Sequence, residues 1–447
     1  MKKNLTAIIA VILIIIIILA GIMLSPKEQD VKKPSEPELA NWTTFFYLDG
    51  DNNLGEDDIQ MMLTNLYFLE QVGSTEESHL IALLDRPENG DSQVFYIKRE
   101  NRTEIPLTEV NASWIDEVNM GNPDVLTSFV SWGIDRYPAA HYCVHLSDHG
   151  GGWRGMCWDD TNDGDHLSLP DIETSMELIK IKIGRNVDIL STEGCLVGMI
   201  EFAYQLRDVV DYYVAGETYG IAGWNNSGNY EPGNWQYDLV WGDLAENSNM
   251  TPEQLTEVMI DNFNSVGPWV YPPMIPKVEY SDVMASFNLS KIAELGRAVD
   301  NLSLALIEKV TGPGQTGAER NLINGVIGHP EYQHPELYTE SFSGMMDWVG
   351  TSTYTNYDLY DFAYQLTQAT SLRLSEGANP DEIMRLVDEV IIKETHGEDN
   401  IQHQHVDAHG IAIYIPYRST EYNAEYEKID FAQDTNWDEF LKTVPWA

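Results

Sequence analysis

The sequence predicts an α/β protein: a mainly parallel sheet with helices on both faces, continued by a mostly helical C-terminal part that can return a strand to the sheet. Three observations predict it. Between residues 42 and 215, short runs rich in β-branched and aromatic residues alternate with stretches of helical spacing, the order that parallel strands and their crossover helices require. Two of those runs stop at small and polar residues with a reactive side chain just past the stop, His149 before three glycines and Cys195 after Glu-Gly. Strand ends of this kind are where open α/β sheets keep their sites. Beyond about residue 235 the spacing turns helical.

Residues 42–48 form the first strand and run into the turn Asp49-Gly-Asp-Asn-Asn-Leu-Gly55. The helix expected over 57–71 puts Ile59, Met62, Leu63, Leu66 and Leu69 on one face. Residues 79–84 make a second strand and 93–97 a short hairpin partner. Pro123 in a first turn opens a helix over 123–136. The strand before His149 is followed by a loop to about 169, a helix over 170–182, the strand before Cys195, a helix over 196–207 and a strand over 211–215 that leads to Glu217. Further on, helices are expected over 252–265, 289–310, 357–372 and 380–393, a strand over 410–417 that could extend the sheet, and an amphipathic segment over 431–441.

Residues 5–24 carry no charge and are almost wholly aliphatic. At about 1.5 Å per residue such a helix covers roughly 30 Å, the apolar thickness of a bilayer, whereas the apolar region of a secretory signal is only about 7–15 residues long. The reading is a transmembrane anchor with residues 1–4 cytoplasmic, since Lys2 and Lys3 flank its short end. Secretion after cleavage of this segment is the alternative. Residues 25–40, rich in Pro, Lys and Glu, read as a tether, 41–235 as the core carrying the site, and 236–447 as a C-terminal subdomain. The 71 acidic against 26 basic residues leave a net charge of −45, which repels phosphate and excludes nucleic acid as a partner. Spread along the whole chain, the acids read first as a solvated surface and second as an attraction for basic substrates or cations.

Three cysteines, Cys143, Cys157 and Cys195, make no disulfide framework. Cys143 lies inside an apolar strand and reads as core. Cys195 stands at a strand-to-helix turn, where the start of a helix favours a thiolate. His149, at the end of a neighbouring parallel strand, has the pKa range to exchange a proton with it. The glycines after His149 let backbone approach a substrate, and the amides of Gly150 and Cys195 are candidates to receive an oxyanion. Spacing alone does not decide that pairing.

Resemblance adds to it. The segments Leu-Ser-Asp-His-Gly-Gly-Gly-Trp-Arg-Gly-Met-Cys-Trp-Asp-Asp-Thr at 146–161 and Glu-Gly-Cys-Leu-Val-Gly-Met-Ile-Glu-Phe-Ala-Tyr-Gln-Leu at 193–206 closely resemble the signature regions of the clostripain family of cysteine peptidases. Tyr-Leu-Asp-Gly-Asp-Asn-Asn-Leu at 47–54 resembles the family's opening strand and turn, and the stretches at 413–417 and 431–437 its closing region. The likeness is collinear over roughly residues 42–441. It implies a caspase-like α/β/α sandwich, akin to caspases, legumain and gingipains, in which His149 is the general base and acid and Cys195 the nucleophile of a dyad that needs no cofactor. The implied substrate is a polypeptide cut after Arg or Lys. Where the family has Asp two residues before the cysteine, associated with a basic P1 side chain, this chain has Glu193, one methylene longer, so the choice between Arg and Lys stays open. Glu193 as a cap for the following helix is the other reading.

Glu217 falls where the resemblance implies a cleft-lining acid; a solvated loop acid is its alternative. Self-processing, which the resemblance also implies, makes Arg154 a candidate cleavage site ahead of Lys180, Lys182 and Arg185, unless Arg154 pairs with Asp159 or Asp160. The resemblance implies a calcium dependence, with no ligand set assigned. Asp159, Asp160, Asp163 and Asp165 form the densest acidic loop, and Asp49, Asp51 and Asn53 alternate oxygen ligands at a turn, but neither has the closing Glu of an EF-hand. His403, His405 and His409 lack the further ligands of a zinc site and read as a polar loop. A weakly active surface binding protein and a cysteine transpeptidase would share these features.

Overall fold

The run from Ala40 to Asp49 extends as β1 (Ala40–Asp49) because it can be buried on both sides. Phe45 and Tyr47 enter one core, Trp42, Phe46 and Leu48 the other, and none of the five reaches solvent. In the computed structural model, the described residues are 39–443 apart from 57–58, 219, 221–222, 227–228, 270–277, 313–316, 318–319, 322, 324–325, 327–355, 370–371, 376, 397–406 and 417–421. The expected anchor over 5–24, nearly all of the tether, His403 and His405 lie outside them. Among the described residues no helix is long and apolar enough to cross a membrane.

Eight further strands join β1 in one sheet: β2 (Ser78–Asp85), β3 (Gln93–Lys98), β4 (Asn101–Ile105), β5 (Ala139–Ser147), β6 (Val187–Glu193), β7 (Val210–Gly216), β8 (Met284–Asn288) and β9 (Ile391–Thr395). Their order is β9-β8-β7-β6-β5-β1-β2-β3-β4. The five central strands, β7 to β2, run parallel, and antiparallel strands close both edges. All C-terminal strand ends of the parallel block therefore open on one side. Helices cover both faces. α1 (Met61–Val72), α5 (Tyr237–Glu246) and α6 (Pro252–Asp261) bury Leu66, Trp241 and Met259 in the core that holds Phe46. α2 (Pro123–Arg136), α3 (Leu169–Ile183), α4 (Ile200–Gln205) and α7 (Ile292–Thr311) bury Phe129, Met176, Phe202 and Leu295 in the core that holds Phe45. This is the expected α/β/α sandwich, within one compact unit from Leu39 to Ala447.

The C-terminal part does return strands to the sheet, through segments other than the one expected. β8 precedes α7, and β9 takes over from the helix α8 (Pro380–Val390) at Ile391-Ile392-Lys393, residues read as helical. The β-branched pair suits a sheet edge as well as a helix face, and pairing with β8 decides for the strand. The late strand shortens to Ala412–Tyr414 and pairs instead with Asn356–Asp358, with one bridge from Ala412 to Met199. The helix expected over 196–207 forms only from Ile200 to Gln205. Leu196 sits at φ 63°, and the Leu196 and Gly198 amides donate to the carbonyls of Thr218 (2.9 Å) and Gly216 (2.7 Å), so the chain after Cys195 runs beside β7 rather than coiling.

Candidate active site

Two neighbouring strand ends build the site. β5 and β6 are parallel and in register from Cys143 opposite Ile189 to Ser147 opposite Glu193, and the Asp148 amide adds one more rung to the Glu193 carbonyl at 3.1 Å. His149 and Cys195 each follow two residues later on strands about 4.8 Å apart. The loops they carry are in direct contact. Gly150 packs against the Cys195 backbone, where a side-chain carbon would lie 2.6 Å from the Cys195 nitrogen and closer still to its carbonyl oxygen. The lack of a side chain at Gly150 thus admits the backbone of Cys195. Gly152, at φ 62°, uses the conformational freedom of the third glycine.

His149 is nearly buried, and its Nε2 lies 2.8 Å from Asn53 Oδ1. An amide oxygen only accepts, so Nε2 carries the hydrogen and Nδ1 is the basic atom. Burial lowers the imidazole pKa to about 4, leaving it neutral. Burial pushes the Cys195 thiol up to about 12, against the opposing pull of the Gly220 and Gly150 amides directed at it. The resting pair is therefore thiol and neutral imidazole. Cys195 does not stand at a helix start, since α4 begins five residues later, and the expected help from a helix dipole falls away. The two amides take that part. Cys143 and His145 lie inside β5 with no exposed surface, and burial holds His145 neutral, its pKa down to about 3.

Glu193 is the last residue of β6, 7% exposed, and its Oε2 accepts from Asn65 Nδ2, Ser147 Oγ and Tyr237 Oη, each at 2.6 Å. It caps no helix. Desolvation raises its pKa to about 6 against those three donors. Because Tyr237 donates to Glu193, its oxygen accepts from His145 Nε2 (2.8 Å), which leaves His145 Nδ1 to accept from Ser191 Oγ (2.9 Å). One directed chain of hydrogen bonds thus ends on the carboxylate.

The other sequence-derived candidates are less central. Glu217 is fully buried and its Oε2 accepts from the Gly410 amide at 3.1 Å, so it ties two segments together and is no solvated acid. Arg154 lies half-buried in the short turn Gly152–Arg154 with its guanidinium 5.8 Å from the Trp153 ring centre. Lys180 and Lys182 lie in α3, paired with Glu177 and Asp135, and Arg185 pairs with Asp188. His409 stacks on Tyr360 at 3.8 Å and faces Asp358. The two acidic stretches meet: Asp160 and Thr161 donate their amides to Asp51 at 2.8 and 3.0 Å, and Asp51 adjoins Asp85 and Glu117.

A sequence profile of the clostripain family matches residues 46–444. The chain belongs to the clostripain family. Clostripain of Hathewaya histolytica is 24% identical over 474 residues, spanning 94% of this chain and 83% of that protein. Two solved structures share the fold: a secreted C11 cysteine protease from Bacteroides thetaiotaomicron in complex with an irreversible peptide inhibitor (TM-score 0.57, 17% identity, 90% of this chain and 99% of that one) and an inactive zymogen C11 protease from Parabacteroides distasonis (TM-score 0.58, 16% identity, 90% and 99%). The fold is thus the caspase-like one, and the protein is a cysteine protease, a hydrolase whose chemistry needs no cofactor.

Within this clostripain-family member, the site residues that sequence reading passed over are Asn53, Asn65 and Tyr237. Asn53 stood in a turn noted only for alternating oxygen ligands that lack the closing Glu of an EF-hand. Asn65 and Tyr237 reach Glu193 across 128 and 44 residues of sequence, and no local pattern marks them.

Proposed function

We propose that this clostripain-family protease is an endopeptidase that cuts after Arg or Lys with His149 and Cys195 as its dyad, held outside the cell membrane by residues 5–24. The observation that carries the dyad is the β5–β6 register, which brings His149 and Cys195 to adjacent strand ends with the Gly150 backbone packed on Cys195. Cys195 Sγ attacks the scissile carbonyl carbon as its proton passes to His149 Nδ1. The Gly150 amide, with that of Cys195, receives the oxyanion. The C–N bond then breaks, the amine leaves with the proton from His149, and a thioester remains. Water, deprotonated by His149, hydrolyses it and frees the thiol.

Glu193 supports the basic preference, since above about pH 6 its carboxylate brings a negative charge to the end of β6, two residues from the nucleophile. The uncharged length of residues 5–24 supports the tether. Arg154 remains the proposed point of self-processing. The test is hydrolysis of Arg-, Lys- and Leu-amide reporters by the wild type, Cys195→Ala and His149→Ala. Each variant is expected to lose at least about a thousandfold in kcat/KM. Undiminished turnover by Cys195→Ala, or no preference for the basic reporters, overturns the reading.

A further inference from the structure

Glu193 is held through one oxygen only. All three of its hydrogen bonds land on Oε2, from Asn65 Nδ2 in α1, Ser147 Oγ at the end of β5 and Tyr237 Oη in α5, each at 2.6 Å. The donors also brace one another. Asn65 Nδ2 lies 3.0 Å from Tyr237 Oη and 3.3 Å from Ser147 Oγ, and Tyr237 Oη accepts from His145 Nε2 at 2.8 Å. None of Asn65, Ser147 and Tyr237 is more than 2% exposed, so three separate elements clamp one oxygen from the interior side. Among the described residues Oε1 accepts no hydrogen bond, nor is it one of the buried side-chain oxygens left without a partner. Glu193 keeps 7% of its surface exposed, at the strand end that leads to Cys195.

The donors are one amide and two hydroxyls, so they satisfy the oxygen without neutralising the carboxylate. Among the described residues no Lys or Arg pairs with Glu193, and His145 donates to the Tyr237 hydroxyl rather than to the acid. A charge this far from water calls for a counter-charge, and Oε1 is the atom left to meet one. A carboxylate oxygen has about two lone-pair sites, and three donors use up those of Oε2. A cationic side chain therefore finds one acceptor oxygen in a fixed orientation. The two basic side chains differ in what they need. A guanidinium binds a carboxylate best side by side, with two parallel N–H groups on two oxygens. An ammonium is a compact point charge with three rotatable donors and needs only one oxygen.

We propose that the clamp of Asn65, Ser147 and Tyr237 on Glu193 Oε2 makes this protease cut after Lys in preference to Arg, because Oε1 alone is offered to the P1 side chain. The inference rests on Glu193 being the acid that meets P1. Asn65 and Tyr237 are positioning residues, which act by occupying one oxygen and fixing the direction of the other. A carboxylate at the same place without the clamp could turn both oxygens to a guanidinium. The discrimination between the two cations thus lies in the residues behind Glu193 and not in its charge.

The experiment compares the full chain on peptide amides that differ only at P1, which is Lys, Arg or the uncharged norleucine. The wild type is expected to cleave the Lys reporter with a kcat/KM about tenfold or more above that of the Arg reporter, the order of effect of one charge-assisted hydrogen bond, and both above norleucine. In Asn65→Ala/Tyr237→Phe the carboxylate is free to turn, and the Lys-to-Arg ratio should fall by about threefold or more. A merely structural role for the two residues would lower both reporters together and leave the ratio alone, which overturns the clamp. Glu193→Asp draws the carboxylate back from the same donors by one methylene and should lower the ratio as well, so the test survives a double variant that fails to fold. Arg cleaved as fast as Lys by the wild type, with both above norleucine, overturns this proposal and leaves the basic preference standing. Norleucine cleaved as fast as either overturns the basic preference and the proposal with it.

Discussion

Gly150→Ala tests whether contact between the two strand-end loops sets the catalytic geometry. Gly150 has no left-handed φ, so alanine meets no backbone strain there and its whole effect is the clash. The new methyl would stand 2.6 Å from the Cys195 nitrogen, against the 3.4 Å at which ordinary contact begins, so the loops must part by at least 0.8 Å. The obstacle is backbone, which cannot swing aside as a long side chain can. A misplacement of about 1 Å costs on the order of a hundredfold in rate, so kcat on an Arg-amide reporter is expected to fall roughly ten- to a hundredfold with little change in KM. Alkylation of Cys195, followed by mass spectrometry, should slow in parallel, because the Gly150 amide is one of the two directed at its sulfur. Gly377→Ala is the control, since a methyl there meets nothing within 4 Å. Wild-type kcat/KM and alkylation in Gly150→Ala would refute the reasoning, and an equal loss in the control would show that the contact is not its cause.

Asn53→Ala removes the acceptor that fixes the His149 ring; kcat for the Arg-amide should drop about tenfold or more while KM holds, and an unchanged kcat means that Asn53 does not orient the base. Glu193 predicts a pH dependence. With its carboxyl raised to about 6, the charge for a basic P1 side chain is lost as pH falls through that value, whereas His149, lowered to about 4, stays neutral. The kcat/KM for Arg-amide should therefore decline below about pH 6 through KM, and Glu193→Gln should flatten that limb and cut the Arg-over-Leu preference; a limb that survives in the variant assigns it to another group. For stability the sign is opposite to that of an ordinary salt-bridged acid. The folded state holds this proton more tightly than the unfolded chain, so Glu193 contributes stability at low pH that is lost as pH rises through about 6, and urea melts of the wild type and Glu193→Gln at pH 5 and 7 should differ in that direction.

The two loops carrying His149 and Cys195 were legible because each is a local event, one apolar strand ending at small polar residues. The helix after Cys195 was misread for the opposite reason. Its residues have helical spacing, but Leu196 and Gly198 spend their amides on carbonyls beside β7, a competition invisible until the strands are ordered. In β9, Ile391-Ile392-Lys393 continues the α8 pattern without a breaker, and only an open sheet edge makes it a strand. The carboxylate cluster lies furthest from sequence reading. A spacing template finds acids that follow one another in a single loop, whereas Asp51, Asp85 and Glu117 come together from three separate segments of the chain.

The register of β1 with its neighbours runs on through the site. Leu48 faces Ser147 and Ser147 faces Glu193, so one residue further along Asp85, Asp49 and Asp148 occupy the same level on three adjacent strands. Asp148 has both oxygens satisfied, by Asn52 and by the Trp158 amide, while Asp49 and Asp85 each keep one without a partner. Of the neighbouring acids, Asp148 acts most strongly on Asp49.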